Sequence, residues 1–426
     1  MNYLTKLLTK VGVISAIAFL PTIAKADVTL EILHAYGSHG KRIHQPVADA
    51  FMAKNPDIKI KFRAAAPNYD EGHLSVLRDA LTGNTPDIWY SGHHLLGQLV
   101  HTLKPRKQIT QLNSLLEAEG QDWIKSNYDP HVLELGKING NQWGMPFNAS
   151  TPIVYYNLDL VKQAGGNADN LPANWDQIID LATKINGLGS DIDGMTYNLQ
   201  DDDWLFQALV FSNGGRIMEG EKIVLDGEGG KKAVTILRRM VKETGMPLQN
   251  EEQGIQQFVA GKMGIFFGST AEVRTMGDAV AGKFGWKTSK FPLGADTNIA
   301  LPTGGNSAVI LTTDAAKKAA AWKFIKFATS PEGQKIAVLG SGYMPTNLRT
   351  SQPEYLGNHY AQNPDWTTSM KQWPLAISFG YPGTKAVKIW REQSSILAAI
   401  AEGEVETDKG LKQLVETTRQ LLAGSN

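Results

Sequence analysis

Two short segments, VTLEIL at residues 28–33 and IKIKF at residues 58–62, decide the fold class of this chain. In both, apolar residues alternate with polar ones, as expected for strands that bury one face. Between them, residues 43–52 carry apolar side chains at helical spacing, and Asn55-Pro56 ends that helix. A strand, a helix and a second strand therefore open the chain.

The same alternation continues beyond the second strand. Leu74, Leu77 and Leu81 mark one face of a second helix. That helix stops at Gly83-Asn84, and residues 87–90 form the next predicted strand. Strands that alternate with helices in this way predict an α/β fold with a mostly parallel sheet.

The pattern restarts near Ser150, which indicates a second folding unit. Predicted strands cover residues 152–156, 263–267 and 307–313. Predicted helices cover residues 158–164, 175–185, 204–211, 231–242, 269–280, 315–329 and 331–339, and the last seventy or so residues are mostly helical. A length of 426 residues also predicts about two domains.

The amino-terminal residues predict export. Lys6 and Lys10 precede an apolar stretch at residues 11–24, and Ala24-Lys25-Ala26 offers small residues for signal peptidase cleavage after Ala26. A membrane anchor is the alternative, but Pro21 interrupts the stretch, which is shorter than the ~20 residues of a spanning helix. We therefore expect residues 1–26 to be removed and the mature protein to lie in the periplasm.

Composition excludes several classes of function. The chain has no cysteine, which excludes lipid tethering at a mature amino-terminal cysteine, thiol nucleophiles and cysteine-based metal sites. Acidic and basic residues number 42 each, and loss of the three signal-peptide lysines leaves 39 basic residues, a net charge near −3. No block of Lys or Arg stands out, so a nucleic-acid partner is not expected.

Motifs for catalysis and metal binding are also missing from the sequence. No G-x-S-x-G, G-x-x-x-x-G-K-[ST], G-x-G-x-x-G or H-E-x-x-H occurs. The spacing of His34, His39, His44 and His93-His94 matches no metal motif, and Tyr155-Tyr156 is placed as aromatics in a strand often are. We expect no cofactor and no metal.

A secreted glycoside hydrolase remains an alternative from a different class. It requires two cleft carboxylates about 5 to 10 Å apart. Asp70 and Glu71, or the run Asp201 to Asp203, are the candidates, although that run is more typical of a cap on the helix that begins at Trp204.

Aromatic residues in predicted loops favour a cleft for a polar ligand with ring-like faces. Aromatic rings pack against the C–H faces of sugars, while amides and carboxylates bind the hydroxyls. The residues that we expect to contribute are Tyr36, Tyr69, Trp143, Tyr343, Trp373 and Tyr381.

Several segments, in order along the chain, resemble the bacterial extracellular solute-binding proteins of the carbohydrate group, family 1. They are residues 147–157 (FNASTPIVYYN), 261–269 (GKMGIFFGS), 304–307 (GGNS), 322–327 (WKFIKF), 330–334 (SPEGQ) and 342–347 (GYMPTN). The resemblance spans the mature chain and implies a two-lobed periplasmic-binding-protein fold that closes by a hinge. It implies a first lobe of residues 27–149 plus about 306–337, and a second lobe of residues 150–305 plus about 338–426, which includes the helical carboxyl-terminal part.

The same resemblance implies a function. A protein of this family is a monomeric, non-enzymatic receptor that captures a small polar solute and delivers it to the permease subunits of an ABC importer. The expected solute is a carbohydrate or sugar derivative, and the alternative is glycerol-3-phosphate or a glycerophosphodiester.

Within the family, the chain is similar in particular to glycerol-3-phosphate-binding receptors. That likeness implies ligand contacts at Tyr69, Ser150, Ser269, Gly305 and Tyr343. Gly305 is equally well explained as a turn residue.

Two departures from those receptors bear on the ligand. Gly92-His93-His94 stands where they have a glutamate, and the segment Phe379 to Gly383 stands where they have a phosphate-binding arginine. We therefore add His93 and Tyr381 to the expected ligand contacts. Loss of a bidentate guanidinium favours a sugar over a phosphate, unless Lys385 or Lys388 replaces it.

Overall fold

The structure is a computed structural model that describes residues 28–200, 203–295 and 298–423. The predicted signal peptide and its cleavage site after Ala26 lie outside these residues. None of the described helices is long and apolar enough to cross a membrane.

The first sheet has five strands. Their order across the sheet is Ile58–Phe62, Val28–Leu33, Ile88–Gly92, Gly304–Ile310 and Met145–Ser150. The first three are parallel, and Gly304–Ile310 runs antiparallel to both of its neighbours. This sheet contains the three predicted amino-terminal strands, the strand Met145–Ser150, which was not predicted, and one strand that returns from much later in the chain.

Helices cover both faces of the first sheet. They are Gln45–Lys54, Tyr69–Thr82, Leu96–Leu103, Asn113–Glu119, Gln121–Asn127, Pro130–Glu134, Ala315–Ala328 and Pro331–Leu339, with a π-helical turn at Gly40–His44 and a 3-10 turn at His93–Leu95. The helix Ala315–Ala328 packs on the strand Val28–Leu33. Ile32, Phe51 and Phe324 are fully buried between these layers.

The second sheet has four strands, in the order Trp286–Lys290, Pro152–Asn157, Met263–Ser269 and Asp193–Tyr197. Pro152–Asn157 is antiparallel to both neighbours, while the last two strands are parallel. Its helices are Leu158–Gln163, Trp175–Asn186, Trp204–Ser212, Glu228–Thr244, Glu251–Val259, Val273–Val280, Ala386–Glu402 and Thr407–Ala423.

Short elements complete the structure. Two-residue strands pair Lys137–Ile138 with Asn141–Gln142, Met218–Glu219 with Lys222–Ile223, and Leu301–Pro302 with Ala376–Ile377. Single turns of helix occupy Gly37–His39, Thr270–Glu272, Leu348–Ser351, Pro353–Gly357, Asn358–Gln362, Pro364–Thr367, Thr368–Gln372 and Trp373–Leu375.

The chain first passes from one sheet to the other through a single residue, and it returns through residues 291–303. Met145–Ser150 ends the first sheet and Pro152–Asn157 begins the second, so only Thr151 separates them. One buried cluster lies mainly around the first sheet and one around the second, and a further cluster contains residues of both sheets. The predicted α/β, two-lobed fold is confirmed. The expectation of a mostly parallel sheet is wrong, because four of the seven strand pairs in the two main sheets are antiparallel.

Local chemistry explains where the site-bearing elements begin. The Asn68 side chain caps the helix Tyr69–Thr82 by accepting from the Glu71 amide, and Gly83 ends that helix in the left-handed region at φ 72°. The helix predicted over residues 269–280 is shorter than expected. Ser269 is the last residue of a strand, and its side chain caps the turn that leads into Val273–Val280.

Candidate ligand-binding cleft

Two predicted contact tyrosines meet at the carboxyl-terminal edge of the first sheet. The Tyr69 hydroxyl accepts a 2.9 Å hydrogen bond from Nδ2 of Asn306 and shares another with the Tyr343 hydroxyl. Tyr36 packs edge-on against the Tyr69 ring, with centroids 5.2 Å apart. Burial raises the pKa of both Tyr69 and Tyr343, so both stay neutral hydroxyls that donate and accept.

Asn306 and Asn148 face each other in register on neighbouring strands. Oδ1 of Asn148 accepts from the Asn306 amide at 2.9 Å. Nδ2 of Asn148 and Oδ1 of Asn306 are both buried, and neither has a hydrogen-bond partner among the described residues. An unused donor and an unused acceptor thus lie in the same strand pair, beside the tyrosine hydroxyls.

Gly305 is required by the backbone at this point. Its φ is +111°, which side chains rarely adopt, and a Cβ there would lie 2.3 Å from the Asn148 carbonyl oxygen. The pairing of the two strands shifts register next to it, between Asn306 and Ser307. The structure therefore gives Gly305 a conformational role beside Asn306.

The two predicted serines lie at strand ends. Ser150 is buried and pairs with Gly304 across the first sheet. Ser269 is half-buried at the end of a strand of the second sheet, where its Oγ accepts from the Ala271 amide. The Ser269 carbonyl accepts a 2.6 Å bond from the Tyr155 hydroxyl.

The His93 side chain forms its hydrogen bonds inside the first lobe. Its Nε2 contacts the Asn148 carbonyl oxygen at 3.0 Å, and its Nδ1 contacts Ser307 Oγ at 3.3 Å. Burial lowers the pKa of His93 to about 4, so the ring is neutral at physiological pH. Both ring nitrogens are used within the protein, and His93 supports the strand that carries Asn148.

The neighbouring histidine, His94, lines a cavity between the lobes. This interlobe cavity is narrow, with a volume of about 10 Å³, and is lined by Asp70, His94, Leu95, Asp203, Gly380, Tyr381, Ala386, Val387 and Trp390. His94 Nε2 lies 3.5 Å from Asp70 Oδ1. The His94 ring packs edge-on against the Tyr69 ring with centroids 6.2 Å apart, so the cavity lies next to the tyrosine cluster.

Asp203 is the residue that sequence reasoning misplaced. It stands at the start of the helix Trp204–Ser212, but its side chain makes no capping hydrogen bond, so the expected cap is wrong for this residue. Instead, Oδ2 of Asp203 accepts from Gln207 Nε2, and the carboxylate lines the interlobe cavity. Burial raises the pKa of Asp203 to about 6. Asp201 and Asp202 lie outside the described residues.

Tyr381 lines the same cavity, but its hydroxyl is already engaged. The hydroxyl exchanges hydrogen bonds of 2.9 and 2.8 Å with the Gln393 amide, which also donates to Thr418. Tyr381 therefore offers the cavity its ring rather than its hydroxyl. Lys385 is half-buried and Lys388 exposed, and neither lines the interlobe cavity.

Several direct contacts hold the lobes together. Arg391 pairs with Glu71 at 2.7 Å. Arg42 donates to Thr275 Oγ1 at 2.9 Å. The backbone of Gly380 lies so close to His94 that a Cβ would come within 2.5 Å of the His94 carbonyl oxygen. These contacts join the two lobes in the described part of the chain.

The other aromatic residues considered from the sequence, Trp143, Trp373 and Tyr156, make their contacts within the protein. Trp143 is buried in the core, and Trp373 packs edge-on against His131 with centroids 5.3 Å apart, so neither joins the cleft. The Tyr156 hydroxyl bonds the Pro172 carbonyl. Within the described part of the chain, no group of three or more potential ligands is arranged to hold a metal ion.

Comparison with known proteins identifies the class. A model of the bacterial extracellular solute-binding protein family matches residues 36–335. The chain belongs to this family, whose members are the solute receptors of ABC importers.

The individual relatives share only 20–24% sequence identity with this chain. The chain is 24% identical to the sn-glycerol-3-phosphate-binding periplasmic protein UgpB of Shigella dysenteriae and to that of Escherichia coli K12, covering 94% of this chain and 93% of each relative. Among solved structures, UgpB from Mycobacterium tuberculosis in complex with glycerophosphocholine has a TM-score of 0.82 at 20% identity, covering 93% of this chain and 98% of that one. A Thermotoga lettingae solute-binding protein bound with α-D-tagatose has a TM-score of 0.79 at 20% identity, covering 93% and 100%.

Sequence reasoning missed Asn148, Asn306 and Trp390, and it considered Asp203 only as a hydrolase carboxylate or a helix cap. The two asparagines lie inside the segments that carried the family resemblance, so a signal for them was present. Asp203 and Trp390 meet only because two distant segments fold against the same cavity.

Proposed function

We propose that this protein is the periplasmic receptor of an ABC importer for a small hydroxylated solute, a sugar or sugar derivative. The observation that carries the proposal is the buried pair of unused amide atoms, Nδ2 of Asn148 and Oδ1 of Asn306, beside the Tyr69 and Tyr343 hydroxyls. A ligand hydroxyl both donates and accepts, so it satisfies both atoms, and a phosphate group, which only accepts, satisfies Nδ2 of Asn148 alone. The pair of atoms therefore indicates a hydroxylated ligand, and the separation of sugars from glycerol phosphates rests on the charges nearby.

Electrostatics support a ligand without phosphate. The adjacent interlobe cavity contains Asp70 and Asp203, and no Lys or Arg is among its described lining residues. A phosphate dianion there would face two carboxylates without a guanidinium to bind it. Glycerol-3-phosphate or a glycerophosphodiester remains the alternative, because the curated relatives named above bind glycerol-3-phosphate.

The proposed mechanism is capture by closure. The solute binds between open lobes, and contacts such as Arg391–Glu71 form as they close, so the ligand favours the closed state through its differential affinity. The closed form then docks on the permease. We propose the lobe boundaries given by the resemblance, a monomeric state, signal cleavage after Ala26, and no catalytic step.

A ligand panel tests the proposal. Purified residues 27–426 are scanned by thermal shift with neutral and amino hexoses, glycerol-3-phosphate and glycerophosphocholine. A ligand at a hundred times its Kd stabilises the folded state by about 2.7 kcal/mol. We expect at least one sugar or sugar derivative to raise the melting temperature. Stabilisation by glycerol-3-phosphate alone would establish the alternative, and release of reducing ends from a bound glycoside would refute the absence of catalysis.

A matched pair of variants locates the site. Tyr69→Phe removes the hydroxyl that accepts from Asn306 and is expected to weaken binding about tenfold, the cost of one buried hydrogen bond. Tyr360→Phe is the control, since the Tyr360 hydroxyl is buried without a partner among the described residues and lies on another helix. Equal affinities for the two variants would contradict a ligand site at Tyr69.

A further inference from the structure

A stack of two rings joins the lobes beside the tyrosine cluster. His94 lies in the 3-10 turn His93–Leu95 of the first lobe, and its ring stacks on Phe379 with centroids 5.1 Å apart and planes 20° apart. Phe379 lies between the strand Ala376–Ile377 and the helix Ala386–Glu402, and this helix packs on a helix of the second sheet. Stacked rings attract each other beyond the area that they bury, so the stack holds the lobes together at this point.

The His94 ring is also held by its own lobe. It packs edge-on against the Tyr69 ring, and its Nε2 lies 3.5 Å from Asp70 Oδ1. Gly92 is closely surrounded by these rings, since a Cβ there would lie 2.9 Å from His94 Cε1 and 3.0 Å from Tyr69 Cγ. The His94 ring therefore bounds the tyrosine cluster on the side of the interlobe cavity.

The segment that carries Phe379 makes two further contacts with the first lobe. Gly380 has a φ of +117°, and a Cβ there would lie 2.5 Å from the His94 carbonyl oxygen. Nε2 of the buried Gln98 donates a hydrogen bond to the Thr384 carbonyl. The segment is therefore held against the first lobe near both of its ends.

Little space remains beside His94. The interlobe cavity, which also reaches Asp203, Tyr381 and Trp390, has a volume of about 10 Å³. A polar cavity needs about 10–15 Å³ to hold one water. A sugar ring or a larger group therefore has no room on this side of the tyrosine cluster.

We propose that the stack of His94 on Phe379 closes one end of the cleft and sets the size limit of the transported solute, which is one sugar ring or a molecule of similar size. Such a solute binds at Asn148, Asn306 and the tyrosines, and a second ring meets the stack. This inference rests on the proposed function and narrows its substrate class to monosaccharides and their small derivatives.

Ligand sets that differ in length test the size limit. Isothermal titration at pH 7.5 compares D-glucose with maltose and cellobiose, and D-galactose with melibiose and lactose. Glycerol-3-phosphate and glycerophosphocholine form a pair without a sugar, so that the size limit is tested even if the receptor binds glycerol phosphates. In the set that binds, we expect the shortest compound to bind about tenfold or more tightly than every longer one, because the longer one must displace packed side chains.

Two substitutions connect the size limit to the stack. Phe379→Ala opens this end of the cleft, and the affinity for the longer ligand relative to the shorter one should rise about tenfold or more. This ratio is the readout, because loss of the stack also weakens lobe closure and lowers the affinity for both ligands. His94→Phe keeps a ring of similar size and should change the ratio less than about threefold.

A matched control removes a different contact between a histidine and an aromatic ring. Trp373→Ala should leave the ratio unchanged, because Trp373 packs edge-on against His131 and does not line the interlobe cavity. Melting temperatures confirm that each variant is folded.

The outcomes separate the two proposals. A disaccharide that binds as tightly as its monosaccharide, a folded Phe379→Ala variant with the wild-type ratio, or an equal rise of the ratio in Trp373→Ala would overturn the size limit and leave the sugar receptor intact. Binding of glycerol-3-phosphate alone, with glycerophosphocholine admitted only by Phe379→Ala, would refute the sugar receptor and support the size limit. Failure of every compound to bind would overturn both.

Discussion

Replacement of Gly305 by alanine should disrupt the cleft more than any other single methyl group added there. The φ of +111° lies in a region that costs a residue with a side chain about 1–3 kcal/mol. The new Cβ would also lie 2.3 Å from the Asn148 carbonyl oxygen and 2.8 Å from its Oδ1. Because that carbonyl belongs to a neighbouring strand, the strand must shift, which adds about 1–3 kcal/mol.

The expected loss is therefore about 2–6 kcal/mol in the free energy of unfolding. Urea denaturation followed by tryptophan fluorescence measures it from the shift in midpoint. Gly220→Ala is the control, since Gly220 has a φ of 59° but open space around its Cβ position. That variant should lose only about 1–2 kcal/mol, the cost of the left-handed backbone.

The two variants should also differ in ligand binding. Asn306 follows Gly305 directly, so a strand shift displaces the amide that bonds Tyr69, and the affinity for the solute should fall together with stability. Gly220 lies in a short hairpin between Met218–Glu219 and Lys222–Ile223 and should leave binding unchanged. If Gly305→Ala loses no more stability than Gly220→Ala, the conformational role assigned to Gly305 is refuted.

Two further predictions concern pH and closure. Burial lowers the pKa of three buried histidines, His44, His73 and His93, the last two to about 4. On acidification the unfolded chain therefore takes up protons at a higher pH than the folded protein. The contribution of these histidines to the free energy of unfolding should be at its maximum above pH 6.5 and should decrease between pH 6.5 and 4. A urea midpoint that rises on acidification would contradict this. Asp203 has the opposite effect on the pH dependence of stability, because its pKa is raised to about 6. Its contribution to the free energy of unfolding is present below pH 3.8 and is lost as the pH rises through 6. Arg391→Ala removes an exposed ion pair between the lobes that is worth at most about 1 kcal/mol. Ligand affinity should therefore fall up to about fivefold at low salt and should be unchanged at 0.5 M salt. A loss of affinity that persists at high salt would disprove the ionic role.

Most of the secondary structure was predictable because it depends on local chemistry. The alternation in VTLEIL and IKIKF gave the first two strands with the bounds observed, and Ser330-Pro331 correctly marked the start of the helix Pro331–Leu339. The prediction was less accurate at Ser269, where an apolar run did not distinguish a strand end and a capped turn from the first turn of a helix.

The site was predictable only in part. Tyr69 and Tyr343 followed from the resemblance, and the structure joins them through a hydrogen bond. His93 and His94 are adjacent in sequence, yet the first points into the strand layer and the second lines the interlobe cavity. Neighbouring residues diverge in this way because a turn of 3-10 helix follows the strand, and no local pattern tells which side chain will face the other lobe.

The sequence by itself determined the α/β class, the order of strands and helices and the family, because hydrophobic periodicity and short ordered motifs are written along the chain. Only the tertiary structure brought Asp70, Asp203 and Trp390 around one cavity and left two amide atoms of Asn148 and Asn306 unused. These arrangements depend on which distant segments close against each other. Burial then determines what each group does: Asp203 is a buried carboxylate that lines the interlobe cavity and makes no cap hydrogen bond to its helix.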